Sequence, residues 1–571
     1  MSRINARNAQ FEKHFIGFAG ISEQTPLTGD GTDNICNFRI NKSGTLYTRN
    51  GYKQVITLPT SPFRGIWEGS LDGSYLCFAV AGSTIYQLTP TSWKVTAVGS
   101  VHSNEKTVCF CKFKETLFLL DGADIFIYRR QTKTFTEVAP YAPLYGQQWH
   151  PTDFGDVYEE INLLTPRLRV QYYNSTGSRA FYLPYYASTV DCVLADGVKT
   201  TNYSFTANGN TVTINTTNIP TYVEIGFSVQ INTDIRQTML ASLCAMVHKQ
   251  KDTETLLLYG GDEDYRVYCS TEVSDASINY CKLFYPTTDT LYFQADNILC
   301  LGDTQHPIVA MCPFYDLTLA FGTAGTWLLD YKEGKIEAQA VLNEFGCGAR
   351  KGVQICNGKP YLINKDGVFS LSASISHPED IALKKISAPI GKLFSDGIDT
   401  NTLLFWNHTN DELWLRFQKD TNGSVWVWNM EREEWYHFDN IPAVLFFDCS
   451  FGIGFASTEC IYLFDSAIYT DNGTPICAYY YSNYMDLGVC ELPKRALRAC
   501  VSGNVQLNEG HFSIMGNRRS QHRTFPITLS TIPQHYRFRF GGRRNRFVRF
   551  YIYTVGESKS ELYQLSIYAN P

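Results

Sequence analysis

The chain has 571 residues, 44% of them hydrophobic and 18% charged, which excludes both a single small module and a disordered polyelectrolyte. Tyr and Phe number 36 each against 7 Met, with 42 Gly, a balance that favours aromatic strands and tight turns over helices. A net charge of −6 excludes a uniformly basic nucleic-acid binder.

The charge is unevenly spread. Between Gly510 and Gly556 there are nine Arg and no Lys, Asp or Glu, so with −6 overall the rest of the chain carries −15. The 17 Cys are odd in number, scattered, and never spaced Cys-x-x-Cys, which argues against a zinc cluster. Most sit among apolar neighbours, and free thiols in a reducing compartment are expected.

In chain order, Met1 to Gly31 is a polar arm with no core pattern and no signal-peptide apolar run, so export through the secretory route is not expected. Short aromatic and β-branched runs follow at hairpin spacing: Tyr75 to Val80, Ser83 to Leu88, Trp93 to Val98, Thr116 to Leu120 and Ile125 to Tyr128, the last two joined through Asp121-Gly122. From Arg167 to Asn232 the pattern changes to runs at Leu168 to Tyr173, Phe181 to Tyr185, Thr189 to Leu194, Tyr203 to Ala207, Thr211 to Asn215 and Tyr222 to Ile231. They contain no Trp, include an Asn208-Gly209 turn, and read as an inserted β-sandwich. Thr238 to His248 is the best helix candidate, although its pattern also fits a buried strand.

Beyond it, Tyr361 to Leu371 forms a hairpin through Asp366-Gly367, and Leu403 to Phe438 reads as four strands in a meander, the pattern of one propeller blade. Trp414, Trp426, Trp428 and Trp435 then serve as packing between neighbouring sheets. Ile441 to Ala456 is the longest apolar stretch and is broken by Pro442 and Asp448, so no membrane span is expected. In the tail, Tyr536 to Phe540 and Arg546 to Tyr553 alternate aromatic residues with Arg, as a two-faced strand pair would. The expected fold is all-β: a β-propeller with an inserted β-sandwich domain and a C-terminal β-rich module. The divisions fall at 1–55 (arm and lead-in), 56–164 and 236–490 (propeller), 165–235 (insert) and 491–571 (Arg-rich module).

No enzyme signature emerges. Gly452-Ile-Gly454 lacks the third Gly of a dinucleotide fingerprint. Asp420-Thr-Asn-Gly423 begins like a calcium loop, with Glu431 at its twelfth position, but its Gly comes too early, and an Asx turn fits better. The acidic clusters Glu159-Glu160 and Asp262-Glu-Asp264 are the nominees for a glycosidase pair and stand in turn-like contexts. No catalytic residue, metal ligand or cofactor is assigned.

The strongest charge feature is Arg518, Arg519, Arg523, Arg537, Arg539, Arg543, Arg544, Arg546 and Arg549. Three readings stand: docking on the acidic remainder of a neighbouring copy, a solvated sheet face, or contact with DNA phosphates.

Three stretches carry a family resemblance. Gly29-Asp-Gly-Thr-Asp-Asn-Ile-Cys-Asn-Phe followed by Gly44 to Tyr52 resembles the opening of tail nozzle proteins of short-tailed bacteriophages, also called tail hub or packaged-DNA stabilisation proteins. Leu258-Tyr-Gly-Gly, Tyr265 to Ser270, Leu283 to Pro286, Leu301-Gly-Asp, Pro307-Ile and Leu319 to Leu329 follow the order of motifs across that family's propeller. Met485-Asp-Leu-Gly488 with Lys494-Arg495 resembles the strand leading into its C-terminal module. The high Cys content and the Arg-only tail depart from the family.

The resemblance implies a structural virion protein in a ring of six below the adaptor ring. It would extend and close the tail tube, retain packaged double-stranded DNA, and conduct it during ejection, with tail fibres or other tail proteins around it. Assembly in the host cytoplasm before lysis is implied, with the protein ending in the virion tail. A channel that releases DNA cannot grip phosphates along its length, so acidic loops are expected inward and the Arg sheet at subunit or adaptor contacts. The arm is expected to be ordered by neighbouring chains. The alternative is a receptor- or glycan-binding β-propeller tail component, with exposed aromatic clusters at one loop face and no ring interface.

Overall fold

The computed structural model describes residues 12–21, 32–89, 92–103, 105–230, 233–262, 264–486, 493, 495–505, 509–516, 523–526, 530–539 and 546–570. Seven four-stranded antiparallel units account for most of it, five as separate sheets and two as parts of one larger sheet. The first blade is Phe63–Leu71, Ser74–Ala81, Thr84–Thr89 and Lys94–Ser100, and the second runs from Cys109–Phe113 to Thr134–Glu137. The third begins at Cys244–Gln250, the fourth at Ile308–Phe314, the fifth at Val353–Cys356 and the sixth at Leu403–Asn407. In the seventh, Leu445–Cys449, Gly452–Ala456 and Cys460–Phe464 are completed by Tyr52–Thr57 from the N-terminal end, antiparallel to Cys460–Phe464.

The first strands of the seven blades neighbour one another in order, and the seventh returns to the first. The ring is therefore closed, and the fold is a seven-bladed β-propeller. An apolar cluster fills each seam, that between blades six and seven running on into the terminal module. Phe78, Val80 and Ile85 meet Leu117, Leu119 and Phe126 between blades one and two, and Phe63, Cys77 and Ala79 meet Phe447 and Ile461 where the ring closes. Burying each such side chain contributes roughly 1.5–3 kcal/mol, so the wheel is held by its seams.

The turns follow the sequence chemistry. Between Thr116–Leu120 and Ile125–Arg129, Asp121 Oδ1 accepts from the backbone N–H groups of Ala123 and Asp124 while Gly122 takes φ +83°. The sixth blade is the expected meander, with Trp414 and Trp435 fully buried. Thr238 to His248 divides: a helix over Thr233–Leu240 ends before Cys244–Gln250, the inner strand of blade three. Met239, Leu240 and Leu243 are buried, apolar spacing that suits either state, and pairing with Thr253–Tyr259 decides for strand beyond it. A second helix, Asp275–Cys281, is capped by Ser274, whose hydroxyl accepts from the Ser277 N–H. No helix among the described residues is long and apolar enough to cross a membrane.

The inserted domain leaves the propeller after blade two. Its two layers are halves of one sheet, continuous through the 16-residue strand Ala180–Ala195, which pairs first with Gly209–Ile214 and then with Tyr222–Val229. The sequence reads this strand as two runs, and the register shift between Tyr182 and Ala187, spanning Pro184, explains the break. Leu168, Val170, Tyr172, Phe181, Val193, Val212, Ile225 and Phe227 form the core between the layers, making a β-sandwich.

The C-terminal module is also a sandwich, and the N-terminal segment is part of it. One sheet runs Phe38–Ile40, Leu46–Thr48, Ser560–Asn570, Arg495–Val505, Ser530–Arg539, with Glu12–Ile16 also paired to Ser560–Asn570. The other brings Thr32–Cys36, Thr474–Ser482, Val548–Gly556, Glu509–Gly516 and Arg523–Pro526 together. Phe18, Ile35, Phe38, Tyr480, Val501, Phe550, Leu565 and Ile567 share its core. Two expectations change as a result. Residues 12–21 of the arm pack on their own chain, and the tail's alternating strands lie in opposite sheets and do not pair with each other.

Candidate interaction surfaces

The terminal module carries the Arg cluster. Arg537 is exposed on Ser530–Arg539, opposite Cys500 in register, and Arg539 ends that strand opposite Arg498. In the other sheet Arg546 is exposed just before Val548–Gly556, and Arg549 is half-buried with its guanidinium 5.3 Å from the Tyr481 ring and 4.9 Å from the Tyr484 ring. Arg498 likewise stands 3.9 Å over Tyr568. Arg523 opens the strand Arg523–Pro526. Arg518, Arg519, Arg543 and Arg544 lie outside the described residues. In this module Val548, Phe550 and Ile552 point into the core, while Arg549, Tyr551 and Tyr553 are half-buried on the other face. Tyr481 stacks on Tyr551 with centroids 4.2 Å apart. Arg and Tyr thus interleave, an arrangement in which planar guanidinium groups rest on rings.

The insert is locked to the propeller by an excursion from blade three. Phe284 and Tyr285 pack over Gly226, where an added Cβ would lie 2.9 Å from the Tyr285 hydroxyl, and that hydroxyl donates to Asp191 at 2.9 Å. Arg169 is buried with its guanidinium within 5.1 Å of the Tyr280 ring and 5.4 Å of Phe284. Glu224 shares this packed face. Its Oε1 accepts from Gln171 Nε2 at 3.3 Å, and Oε2 is buried without a hydrogen-bond partner. Burial raises its carboxyl to about 7, against a partial lowering by Arg169 and by the Gln171 bond.

The sign of the pH effect follows. A folded-state pKa above the unfolded value contributes stability that is complete below about pH 4.5 and is lost as pH rises through about 7. Glu224→Gln should leave stability unchanged near pH 4 and raise it by about 1–3 kcal/mol near pH 8. Thermal unfolding of both chains across that range checks this, and an equal effect at both ends would refute it.

The insert also carries an exposed apolar surface. Nine of the fifteen exposed large hydrophobic side chains among the described residues fall between Phe154 and Tyr222. Residues 152–158 form a loop in which every residue is exposed, including Phe154, Val157 and Tyr158, with Phe154 5.0 Å from the Trp149 ring that seats it. Beside it the exposed Tyr173 and Tyr222 rings lie 5.3 Å apart as a cross-strand pair, and His150 is 6.4 Å from Tyr173. Such a concentration marks a contact surface. The sequence carries its signal only as phase: Tyr173 and Tyr222 alternate against the inward Tyr172 and Val223.

Of the acidic nominees, Glu159, Asp262 and Asp264 have structural partners, and Glu263 lies outside the described residues. Glu159 accepts from the Tyr141 hydroxyl at 2.6 Å and the Leu144 N–H at 3.1 Å. Asp264 is buried and accepts from Arg266 Nε at 2.8 Å and the Tyr268 hydroxyl at 3.0 Å, while Asp262 pairs with Lys106 and Arg350. Asp420 Oδ1 accepts from the Asn422 N–H at 2.8 Å, the Asx turn, and Glu431 pairs with Lys42. Among the described residues no group of three His, Cys, Asp or Glu is placed to hold a metal.

No family model matches the chain, and no curated protein matches it either. Among solved structures it is similar to a chain from a crystal structure of BBS1N in complex with ARL6DN, at 10% identity over 73% of this chain and 98% of that one, with a TM-score of 0.33. It is also similar to the AfRom2 CNH domain, at 8% identity over 72% of this chain and 98% of that one, with a TM-score of 0.35. Likenesses this low carry no argument. The propeller is read from the sheet connectivity itself.

Proposed function

We propose that the chain is a structural component of a short-tailed phage tail, the nozzle or hub ring that extends the tail tube, retains packaged DNA and conducts it at ejection. The observation that carries this reading is the exposed apolar loop at 152–158 on an insert that is fixed to the propeller. A rigid wheel with a projecting apolar contact is suited to docking on another folded surface, and the motif order shared with the nozzle family makes identical copies and an adaptor ring the surfaces in question. The Arg and Tyr of the terminal module supply a second contact toward carboxylates. No catalytic step is part of the reading.

Native mass of the purified chain, alone and with an adaptor ring, tests it. A ring of about six copies is expected, the number that the resemblance to the nozzle family implies, built from a heterologous interface that closes on itself. Phe154→Ser with Tyr158→Ser, and separately Arg537→Glu with Arg546→Glu, should shift the population toward monomer by about tenfold or more, as loss of interface anchors does. A monomer at every concentration, with or without the adaptor, overturns the proposal. Normal rings from the Arg variant, with only DNA retention lost, would move those Arg residues to DNA.

A receptor- or glycan-binding reading has the exposed Tyr173, Tyr222 and His150 rings in its favour, since stacked aromatics accept sugar faces. A monomer that binds host-surface glycan and loses it with Tyr173→Ala would establish that reading instead.

A further inference from the structure

The inner strands of the propeller surround its axis, and at the end where the chain enters them lies a cavity of about 350 Å³. Its wall is drawn mainly from the segments leading into blades one, two, three, five, six and seven, with Asp262 and Gln418 from connections within blades three and six, which places it on the axis. The wall carries four cations, Arg64, Lys106, Arg350 and Lys351, against two carboxylates, Asp262 and the exposed Glu105.

Asp262 is already shared, 2.8 Å from Lys106 Nζ and 2.6 Å from Arg350 Nη2. Lys351 has no ion-pair partner among the described residues. Arg64 is only 2% exposed, and it donates Nε to the Lys106 carbonyl at 2.5 Å and Nη1 to the carbonyls of Gly82 at 2.9 Å and Ser103 at 2.5 Å. Its Nη2 is left buried with no hydrogen-bond partner. The nearest carboxylate to offset it, Asp121, is occupied by the backbone N–H groups of His102, Ser103, Ala123 and Asp124. Burial pulls both the Arg64 guanidinium and the Lys351 ammonium below their ordinary values, the sign of cations short of compensation.

Buried charge without a partner costs several kcal/mol, and an anion entering the cavity would remove that cost. The surplus of two positive charges matches a dianion. Thr107, Thr400, Asn401 and Gln418 add neutral polar groups around it, and the volume exceeds what a bare oxyanion fills. We propose that the axial cavity binds a small phosphomonoester, with Lys351 facing the phosphate, the buried Arg64 charge behind it, and the neutral groups facing the remainder of the molecule. The inference does not rest on ring assembly.

Titration calorimetry of the full chain in phosphate-free buffer tests it, with glucose 6-phosphate, inorganic phosphate and glucose as probes. Glucose 6-phosphate should bind about tenfold more tightly than inorganic phosphate, and glucose should not bind. Lys351→Met, which keeps the stem and removes the charge, should weaken binding by about tenfold or more. Asp262→Asn, which releases Lys106 and Arg350 toward the ligand, should tighten it by about threefold. Absence of heat with both phosphates at about 10 mM, equal binding of glucose, or an unchanged Kd in Lys351→Met overturns the site. Binding of short duplex DNA with none of the small phosphates overturns it too. Should Lys351→Met fail to fold by circular dichroism, Asp262→Asn decides alone, and an unchanged or weaker Kd there is refutation.

Discussion

Arg49→Met is expected to destabilise the chain by about 3–5 kcal/mol, the cost of leaving a buried partner charge uncompensated. Arg49 and Asp471 are both buried and meet as a two-pronged pair, Nη1 to Oδ1 at 2.8 Å and Nη2 to Oδ2 at 2.7 Å. The other donors are also used: Nε reaches Asn37 Oδ1 at 2.7 Å, Nη1 the Asn50 carbonyl at 3.0 Å, and Nη2 the Asp439 carbonyl at 2.9 Å. One side chain therefore ties the N-terminal segment to the end of blade six and to the chain just after blade seven. It does so beside Tyr52–Thr57, the strand that closes the ring. Gly51 keeps the approach tight, since a Cβ there would collide with the Thr470 backbone. With Met at position 49, Asp471 would retain only the Asn440 Nδ2 bond at 3.0 Å. Urea denaturation reads the loss as a lower midpoint, and Arg49→Lys should recover only part of it because the fork geometry is gone. A midpoint equal to that of the parent chain would show that the clasp does not hold the ring.

Trp414→Ala should cost a similar amount, about 3–5 kcal/mol, for a different reason: it opens a cavity that its neighbours cannot close. The ring is 1% exposed and is met edge-on by Phe446 at 5.3 Å and Phe464 at 5.2 Å, with Phe405 and Phe438 each at 6.1 Å. These partners come from blades six and seven, so the side chain is the pin of that seam. Its Nε1 donates to Glu412 Oε2 at 2.9 Å, and Glu412 is held by Arg39 through 2.7 and 2.9 Å bonds, both side chains being buried. Trp414→Phe should recover most of the packing and lose the hydrogen bond, a smaller cost of about 1–2 kcal/mol. The same denaturation series separates the two, and equal midpoints for Ala and Phe would refute the cavity argument.

Much of the propeller is legible from local pattern. The meander from Leu403 to Phe438 announces itself because each strand is a short, aromatic-rich apolar run and each connection holds Asn, Asp or Gly, so a short window contains the whole instruction. Asp121-Gly122 and Asn364 to Gly367 are legible for the same reason. The strand Tyr52–Thr57 is a different case. Its sequence says strand, yet nothing near it says that its partner is Cys460–Phe464, some four hundred positions later.

The contact surfaces divide in the same way. The excess of Arg between Gly510 and Gly556 is plain in the sequence, but alternation alone suggests one two-faced strand pair, whereas Ser530–Arg539 and Val548–Gly556 belong to opposite sheets. The exposed Phe154 and Tyr158 give no local sign, since aromatic residues in this chain are mostly core. The axial cations are the least legible: Arg64, Lys106, Arg350 and Lys351 are each ordinary residues before or within a strand.

Residue order alone determines an all-β chain, blades of the meander type, an insert of distinct pattern and a charge-segregated tail, because side-chain alternation and turn chemistry act over a few neighbouring residues. Only the tertiary structure decides that there are seven blades, that both chain ends share one sandwich, and that four cations converge on the axis. Those features depend on ring closure and on charges brought together from distant segments, and neither leaves a periodicity for a sequence to display.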